Sequence, residues 1–505
     1  MKPSLPPRSS GVLLHPTSLP GPFGVGDLGP TAFRWVETLA AMRQSWWQIL
    51  PLGPTGAGDS PYQSYSAFAG NVNLLSPELL VQDGLVKPAL WDGRFFRNDR
   101  VEYETVAPFK AALLRAAWDT FRGGGAPAGM RGEFDRYATK EADWLDGYAL
   151  FMAVRDALNG RSLPDWPADL LRRVPSAVAA VEKELAGEVQ MHRFGQFLFD
   201  RQWAALREFA AERGVRVIGD APIFVSLDSA DVWCNPDQFL LDPDRRPLVV
   251  AGVPPDYFAA DGQHWGNPIY DWERMAETGY TWWANRVRRD LARVDLVRLD
   301  HFRGFAQAWH IPASETTAIR GKWVDGPGAP FFERLRTDLG HLPFIAEDLG
   351  VITPDVDRLR DAVGLPGMKV IQFALDTPDN PYWPHNFPDR RCACYTGTHD
   401  NDTAAGWWAT LDANNRGYLS AYVGHEVKDP AWELIRLAWG SVAEIAVAPL
   451  QDVLGLGGEA RMNKPGVAAG NWQWRFRTEQ FWPGAVDRLR GVTELFRRVP
   501  AEPEA

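Results

Sequence analysis

The chain has 505 residues and a net charge of −11, with 53 basic and 64 acidic side chains. This length is sufficient for a large core, built either as several domains or as one barrel with insertions. The acidic balance argues against a nucleic-acid-binding surface, which needs clustered Lys and Arg. There is no run of about 18 apolar residues, and the N-terminus lacks the apolar segment of a signal peptide, so we expect neither a membrane span nor export.

The three cysteines indicate a reducing, cytoplasmic environment, because a disulfide framework would need more of them and an even number. Cys392 and Cys394 are two residues apart in an apolar segment, so both face the same side of a predicted strand. A zinc site there would need a second pair of ligands at suitable spacing, and the sequence has none. We therefore expect buried structural cysteines and no metal site.

Apolar segments at eight places predict buried strands, because near-continuous apolar runs are typical of parallel strands covered on both faces. Helical patterns precede several of them, for example residues 203–214, which end at Gly214, and residues 430–440, which begin with Pro430. This alternation predicts an α/β fold, and specifically a (β/α)8 TIM barrel. The predicted strands are residues 12–14, 46–50, 215–218, 294–299, 344–346, 369–373, 393–395 and 444–447.

The spacing between these strands is uneven, which predicts insertions into a single catalytic barrel over residues 1–500. We expect a helical subdomain at about 65–190 and a second insertion, which carries an aromatic loop, at about 228–290. A small insertion is expected at about 402–430, and a tail at 501–505. Insertions that follow barrel strands lie on the catalytic face and shape a substrate groove.

Three of the predicted strands are followed within five residues by a carboxylate, namely Asp300, Glu347 and Asp400. The C-terminal ends of parallel barrel strands converge on one face, so we expect these side chains to meet there. Cleavage of a glycosidic bond requires a pair of carboxylates, one as acid and one as nucleophile or base. Strand-end carboxylates are also common as helix caps, but three together favour an active site that acts on sugars.

Asp300 is the candidate nucleophile, because Arg298 lies two residues earlier on the same strand face and would stabilise its charge. Glu347 is the candidate acid/base, since its apolar neighbours and the adjacent Asp348 would both raise its pKa. Asp400 would then bind sugar hydroxyls. Retention of the anomeric configuration would place the two catalytic carboxyl groups about 5–5.5 Å apart.

Aromatic residues are abundant, with 23 Trp, 26 Phe and 12 Tyr, and most of them must form the core. Trp265 lies among Gly, Asn and Pro in a segment that predicts a loop, where a flat ring suits the apolar face of a sugar. His15, His301 and His399 end predicted strands. Such residues are usually structural, but we expect His399, beside Asp400, to contact substrate. The sequence contains no zinc-protease or EF-hand motif.

Long motifs in a fixed order give the chain a resemblance to a known family. It resembles the amylomaltases, or disproportionating enzymes, which are the 4-α-glucanotransferases of glycoside hydrolase family 77 in the α-amylase clan. The resemblance covers nearly the whole chain. It rests on residues 11–24, 58–71, 219–225, 252–258, 262–268, 298–304, 346–350, 398–402 and 461–463.

The resemblance implies a role for each matching position. Asp300 matches the nucleophile of the family, Glu347 its acid/base, and Asp400 the aspartate that stabilises the transition state. The resemblance implies no organic cofactor, and the sequence shows no set of ligands at the spacing of a calcium or zinc site. The positions implied to bind substrate are Tyr62, Asp220, Tyr257, Phe258, Trp265, Arg298, His399 and Asn463.

The resemblance also implies the reaction, which is transfer of an α-1,4-glucan segment through a covalent glucosyl-enzyme. Tyr62 matches a ring that stacks under the donor glucose. Tyr257, Phe258 and Trp265 match an aromatic loop that overhangs the cleft and holds the acceptor. The implied partners are therefore α-1,4-glucans, such as maltodextrins, with a second glucan or glucose as acceptor.

Two other functions remain open as alternatives. An α-glucan hydrolase would use the same carboxylates with water as the acceptor, although the aromatic loop favours transfer. A non-catalytic glucan-binding protein is expected to lack at least one of the three carboxylates, and all three are present. The sequence leaves the oligomeric state and the preferred chain length open. The resemblance does not extend to Ala57, where some relatives carry a Tyr that belongs to a second glucan-binding groove.

Overall fold

The computed structural model describes residues 8–255, 260–375, 377–480 and 483–499. This part of the chain contains twelve strands and nineteen α-helices. The predicted tail at 501–505 lies outside these ranges. The strands are β1 Ser9–Leu13, β2 Trp46–Gln48, β3 Arg216–Pro222, β4 Val249–Val253, β5 Gln263–Pro268, β6 Leu296–Asp300, β7 Gln307–Pro312, β8 Lys322–Asp325, β9 Phe344–Ala346, β10 Gly367–Val370, β11 Cys392–Tyr395 and β12 Ile445–Pro449.

Eight of the strands form a parallel barrel in the order β10-β11-β12-β1-β2-β3-β6-β9. Each predicted strand corresponds to one of these eight, so the predicted (β/α)8 barrel is confirmed. Some ends differ from the prediction. β3 continues to Pro222. The predicted strand at 369–373 is wrong at its end, because the chain leaves the sheet after Val370 and forms a 3₁₀ turn over Ile371–Phe373.

The barrel closes between β9 and β10, the two end strands of this order. The Ala346 N–H donates to the Pro366 carbonyl at 2.9 Å, and the Met368 N–H donates to Asp348 Oδ1 at 2.7 Å. Gly367 permits this approach, because a Cβ there would lie 2.3 Å from Asp348 Oδ2. Asp348 is therefore a structural residue of the barrel wall.

Helices cover the barrel and fill the long connections. Helix α8 ends two residues before Gly214, whose φ of 71° is left-handed, as the predicted stop requires. The predicted helix at Pro430 is also found. The helices are α1 Pro30–Ala41, α2 Pro77–Gln82, α3 Tyr103–Arg122, α4 Met130–Lys140, α5 Ala142–Ala157, α6 Ala168–Leu171, α7 Pro175–Glu184, α8 Ala186–Glu212, α9 Ala230–Cys234, α10 Trp272–Glu277, α11 Thr281–Arg293, α12 Arg303–Ala306, α13 Gly328–Leu339, α14 Pro354–Val363, α15 Ala404–Thr410, α16 Ala413–Val423, α17 Pro430–Gly440, α18 Leu450–Val453 and α19 Pro483–Leu495.

A second sheet of four antiparallel strands lies outside the barrel, in the order β5-β4-β7-β8. The sequence analysis missed it, because β5, β7 and β8 lack a continuous apolar run and the apolar β4 leads directly into Pro254 and Pro255. β5 is an edge strand, which is where Gly266 and Pro268 are tolerated. Trp265 therefore lies on a strand, and the loop predicted for it is wrong.

Two apolar cores lie on the two sides of the barrel wall. The larger core fills the space between the barrel and the helices, and its rings include the fully buried Trp47, Trp283 and Trp439. The smaller core fills the barrel interior with side chains from its strands, among them Leu13, Trp46, Ile218, Leu296, Ile345, Met368, Ala393, Tyr395 and Ile445. None of the helices in the described ranges combines the length and the apolar character needed to span a bilayer.

Arg498 stabilises the end of the barrel opposite the strand C-termini. Its fully buried guanidinium donates to the carbonyl oxygens of Ser9, Trp439, Ser441 and Ala443 at 2.7–3.0 Å. Burial lowers the pKa of Arg498 to about 9. One side chain thus connects β1, the end of α17 and the segment that leads into β12.

Arg498→Met should lower the free energy of unfolding by roughly 3 kcal/mol or more, because several buried carbonyl oxygens lose their donors at about 1–3 kcal/mol each. The melting temperature and denaturant unfolding measure this loss. Arg490→Met is the matched control, since the Arg490 side chain is 42% exposed and pairs with Asp487 at the surface. A surface pair contributes about 0–1 kcal/mol. Equal losses in the two variants would contradict the role of Arg498.

Candidate active site

The C-terminal ends of the barrel strands open into a cleft of about 1090 Å³. Asp220 lies beneath the cleft floor and contacts Arg298. The predicted residues Tyr257 and Phe258 lie outside the described residues. The predicted residues that line the cleft are Tyr62, Trp265, Arg298, Asp300, Glu347, His399, Asp400 and Asn463.

Arg298 connects two carboxylates at the floor of the cleft. Its Nη1 donates to Asp220 Oδ2 at 2.7 Å and to Asp300 Oδ1 at 2.9 Å. Parallel pairing of β3 with β6 sets Asp220 opposite Arg298, and Asp300 follows two residues later on the same face of β6. Burial lowers the pKa of Arg298, but the charges of Asp220 and Asp300 outweigh burial and keep that pKa well above its usual range. The guanidinium is therefore a permanent positive charge beside Asp300.

Tyr62 is fixed through both its hydroxyl and its ring. The hydroxyl donates to Asp220 Oδ2 at 3.1 Å, and the ring stacks on His399 with centroids 5.1 Å apart and planes 18° apart. Burial raises the pKa of Asp220 above its usual range, and Arg298 opposes that rise. Asp220 thus orients both Tyr62 and Arg298 from below the cleft.

Glu347 follows β9, and backbone donors orient its carboxyl group. The His301 N–H donates to Glu347 Oε2 at 2.7 Å, and the Leu349 N–H donates to Oε1 at 3.0 Å. Burial raises the pKa of Glu347 and the charge of Asp300 raises it further, and these two effects outweigh Arg298 and the backbone donors. Glu347 therefore keeps its proton at a higher pH than an ordinary glutamate, whose pKa is about 4.3.

The neighbour that adds negative charge to Glu347 is Asp300. The prediction that Asp348 would do so is wrong, because the Asp348 carboxylate forms an ion pair with Arg360 and accepts the Met368 N–H. Its charge is compensated within the barrel wall. Consecutive residues of an extended chain point to opposite faces, so the Asp348 side chain lies on the face away from the cleft.

The turn after β6 links the two candidate catalytic carboxylates. His301 has a φ of 53°, a left-handed value that is uncommon for a residue other than glycine. This conformation directs its N–H to Glu347 immediately after Asp300. Strained backbone of this kind is concentrated at functional sites. One turn of the chain thus sets the relative position of Asp300 and Glu347.

Asp400 lies in the segment after β11 and is supported by side chains from distant parts of the sequence. Asn463 Nδ2 donates to Asp400 Oδ1 at 2.6 Å, and His399 Nε2 lies 3.3 Å from the same oxygen. Arg461 donates to the Asp400 carbonyl. Burial lowers the pKa of His399, and Asp400 opposes that decrease. The Asp400 side chain remains 45% exposed, so it can reach a molecule in the cleft.

Aromatic rings form parts of the cleft wall. The rings of Trp265 and His301 are nearly perpendicular, with an interplanar angle of 83° and centroids 4.8 Å apart. The ring centroid of Trp472 lies 5.7 Å from that of Tyr62, and the sequence analysis did not predict Trp472 as a site residue. The signal that marked Trp265, a Trp among Gly and Asn, also applies to Trp472 in the segment Gly470–Asn471–Trp472 and could have identified it.

Other cleft residues come from the irregular segment after β10, namely Phe373, Asn380 and Tyr382. No periodic pattern marks them in the sequence, because the described residues between β10 and β11 form only short 3₁₀ turns and irregular structure. Asn380 fixes the segment by donating to the Phe373 carbonyl at 2.8 Å. These contacts become apparent only when the barrel is folded.

The described residues contain no group of three or more His, Cys, Asp or Glu side chains arranged to hold a metal ion. Cys392 and Cys394 are unpaired and buried in β11. Burial raises the pKa of Cys394 to about 12, so its thiol is unreactive at neutral pH. The cleft offers acid–base and nucleophilic chemistry from carboxyl groups, because Glu347 has a raised pKa and Asp300 is paired with a permanent cation.

Comparison with known proteins agrees with this chemistry. A sequence profile of the family described as 4-alpha-glucanotransferase matches residues 14–480. A 4-alpha-glucanotransferase from Synechocystis sp. is 47% identical over 496 residues, covering 97% of this chain and 98% of the relative. Another, from Thermus thermophilus, is 46% identical over 501 residues, covering 98% of this chain and 99% of the relative.

A solved structure gives the same result. The amylomaltase from Streptococcus agalactiae in complex with acarbose has a TM-score of 0.94 and 36% sequence identity to this chain. The match covers 97% of this chain and 100% of that structure. The resemblance found in the sequence is thus confirmed, and the chain belongs to glycoside hydrolase family 77, the family of the 4-alpha-glucanotransferases.

Proposed function

We propose that this chain, a 4-alpha-glucanotransferase by family, cuts an α-1,4-glucan and transfers the donor segment to the 4-hydroxyl of another glucan or of glucose, with retention of configuration. The observation that carries the proposal is the contrast between two carboxyl groups in one cleft. Asp300 is paired with Arg298, and Glu347 has a raised pKa. Retaining transfer needs one charged nucleophile and one protonated acid.

In the first step, Glu347 donates its proton to the glycosidic oxygen while Asp300 attacks the anomeric carbon. The bond to the leaving 4-oxygen breaks, and a covalent glucosyl ester forms on Asp300. Arg298 binds Asp300 through Oδ1, so we assign the attack to Oδ2. The positive charge of Arg298 stabilises the negative charge of the Asp300 carboxylate, which remains free to attack.

In the second step, the 4-hydroxyl of the acceptor attacks the anomeric carbon, and Glu347 takes the hydroxyl proton. The ester bond breaks and Asp300 is regenerated as a carboxylate. Asp400, oriented by Asn463, stabilises the oxocarbenium-like transition state in both steps. Tyr62 supplies a flat surface for the donor glucose, and His399 contacts its hydroxyl groups.

Transfer must compete with hydrolysis of the glucosyl ester. Water is present at roughly 55 M, but a well-positioned acceptor can reach an effective molarity of about 10⁵ M or more. We assign acceptor positioning to Trp265 at the cleft wall, and on the family resemblance to Tyr257 and Phe258. The same rings reduce access of water to the ester.

We further propose that the insertions at about 65–190, 228–290 and 402–430 are subdomains that shape the glucan groove of one catalytic barrel. Helices α2–α7 in the first of these ranges and the strands β4 and β5 in the second support this division.

A cytoplasmic location is supported by three cysteines that are all unpaired.

Incubation with maltotriose tests the proposed reaction. We expect glucose together with a ladder of longer maltodextrins, because the maltosyl or glucosyl unit on Asp300 passes to another sugar. Glucose and maltose alone would identify a hydrolase. Asp300→Asn is the control: it should keep its melting temperature and lose about 10⁴-fold or more of the rate, since no ester can form. Near-normal turnover of that variant would exclude Asp300 as nucleophile.

Glu347→Gln should lose about 10²–10⁴-fold on maltotriose, because the leaving oxygen needs a proton. It should lose far less on α-glucosyl fluoride with azide as acceptor, since neither fluoride nor azide needs acid or base help. Wild-type turnover of maltotriose should fall as pH rises through the raised pKa of Glu347, because the acid form disappears. Equal losses on both substrates would contradict this role. The melting temperature of Glu347→Gln shows whether the glutamine amide is accommodated beside the His301 and Leu349 N–H groups.

Trp265→Ala should raise the ratio of hydrolysis to transfer severalfold, because the acceptor loses a positioning surface and water gains access. Product chromatography with maltotriose measures the ratio. Trp309→Ala is the matched control from the same four-stranded sheet, where Trp309 packs on Trp323 and donates to the Ala318 carbonyl. It should lower stability and leave the ratio unchanged. An unchanged ratio in Trp265→Ala would exclude Trp265 from acceptor binding.

A further inference from the structure

A further strand-end carboxylate lies beneath the cleft and takes no part in the steps above. Asp452 follows β12, in α18, and is only 1% exposed. Its Oδ2 accepts a hydrogen bond from Thr396 Oγ1 at 2.6 Å, and its Oδ1 accepts one from the Ala404 N–H at 2.7 Å. Thr396 directly follows β11, and Ala404 is the first residue of α15. The two oxygens therefore bind the two ends of one short segment.

The segment between these ends, residues 397–403, carries the groups that face the donor sugar in the proposed reaction. His399, Asp400 and Asn401 line the cleft. The segment contains neither strand nor helix, so no regular hydrogen-bond ladder fixes its course. Individual hydrogen bonds from other parts of the chain fix its course, such as the Asn463 N–H to the His399 carbonyl at 3.1 Å, and Asp452 binds the two residues that flank it.

We propose that Asp452 is a positioning residue, which fixes the residues on both sides of 397–403 and thereby sets Asp400 where the transition state forms. This inference rests on the role proposed above for Asp400. A catalytic group that is oriented before the substrate arrives needs no reorganisation during the reaction. Misplacement of such a group by about 1 Å can cost about 10²-fold in rate.

The chemistry of Asp452 fits this role. Burial raises the pKa of Asp452 to about 6, since a charged carboxylate is costly in this environment. A carboxylate can accept at both oxygens, one for each end of the segment, which no neutral apolar side chain of the same size can do. The cost of a buried charge is offset by two charge-assisted hydrogen bonds that act on the same loop.

The direct test removes one of the two bonds and keeps the shape. Thr396 is fully buried, and Val has nearly the same form without the hydroxyl. Thr396→Val should lower kcat on maltotriose about tenfold or more, because one end of the segment is released. KM should stay within about twofold, since ground-state binding is retained. Thr396→Ser keeps the hydroxyl and should restore kcat.

A matched control separates this effect from general loss of a hydroxyl. The hydroxyl of Thr410, at the end of α15, donates to the Trp407 carbonyl at 2.7 Å and is exposed. Thr410→Val should leave both kcat and KM unchanged. If Thr396→Val likewise keeps the kcat of the wild type, the positioning role of Asp452 is overturned.

A double-mutant cycle decides whether the effect acts through Asp400. In an Asp400→Asn background, Thr396→Val should add little further loss of kcat, because the group it positions is already disabled. A merely structural effect would give the same loss in both backgrounds, in parallel with the melting temperature, and would overturn the proposal. Near-normal kcat of Asp400→Asn by itself would instead overturn the role of Asp400 in the proposed reaction.

Discussion

The Arg298 guanidinium is the charge on which the arrangement of the cleft depends. One of its nitrogen atoms donates to Asp220 and Asp300 together, and Asp220 in turn orients Tyr62. Without the guanidinium, Asp220 would be a buried carboxylate with no cation, and breaking a buried pair costs about 3–5 kcal/mol. The pairing of β3 with β6 therefore creates a charged, preoriented floor before any substrate is present.

The raised pKa of Glu347 has two main causes, and one of them changes during the proposed reaction. Burial and the negative charge of Asp300 both raise the pKa of Glu347. When Asp300 becomes a neutral glucosyl ester in the proposed first step, its contribution to that pKa disappears. Glu347 then releases its proton more readily and can act as the base in the second step. The change of role from acid to base is thus driven by the reaction itself.

The sequence predicted the parts of the structure that have strong local signals. Barrel strands are buried on both faces, so they appear as continuous apolar runs, and the carboxylates at their ends are directly visible. Three strands of the four-stranded sheet have no such signal, and among them β5 is an edge strand with Gly266 and Pro268. Asp348 and Asp452 were also beyond local reasoning. Asp348 accepts a hydrogen bond from Met368, and Asp452 accepts one from Thr396. Only the folded chain brings these partners together.

The three carboxylates of the proposed reaction are supported in three different ways, which has consequences for variation in the chain. Glu347 is oriented by two backbone N–H groups, which most substitutions leave in place. Asp300 is held by its ion pair with Arg298 on the same strand, so the positions of the two side chains shift only if β6 itself moves. Asp400 depends on Asn463 and on residues that fix its segment from other elements. Since these supports are remote in sequence, substitutions in other elements can shift Asp400 while Asp300 and Glu347 remain in place. In the proposed reaction, transition-state stabilisation is therefore the part most open to adjustment from other elements of the fold.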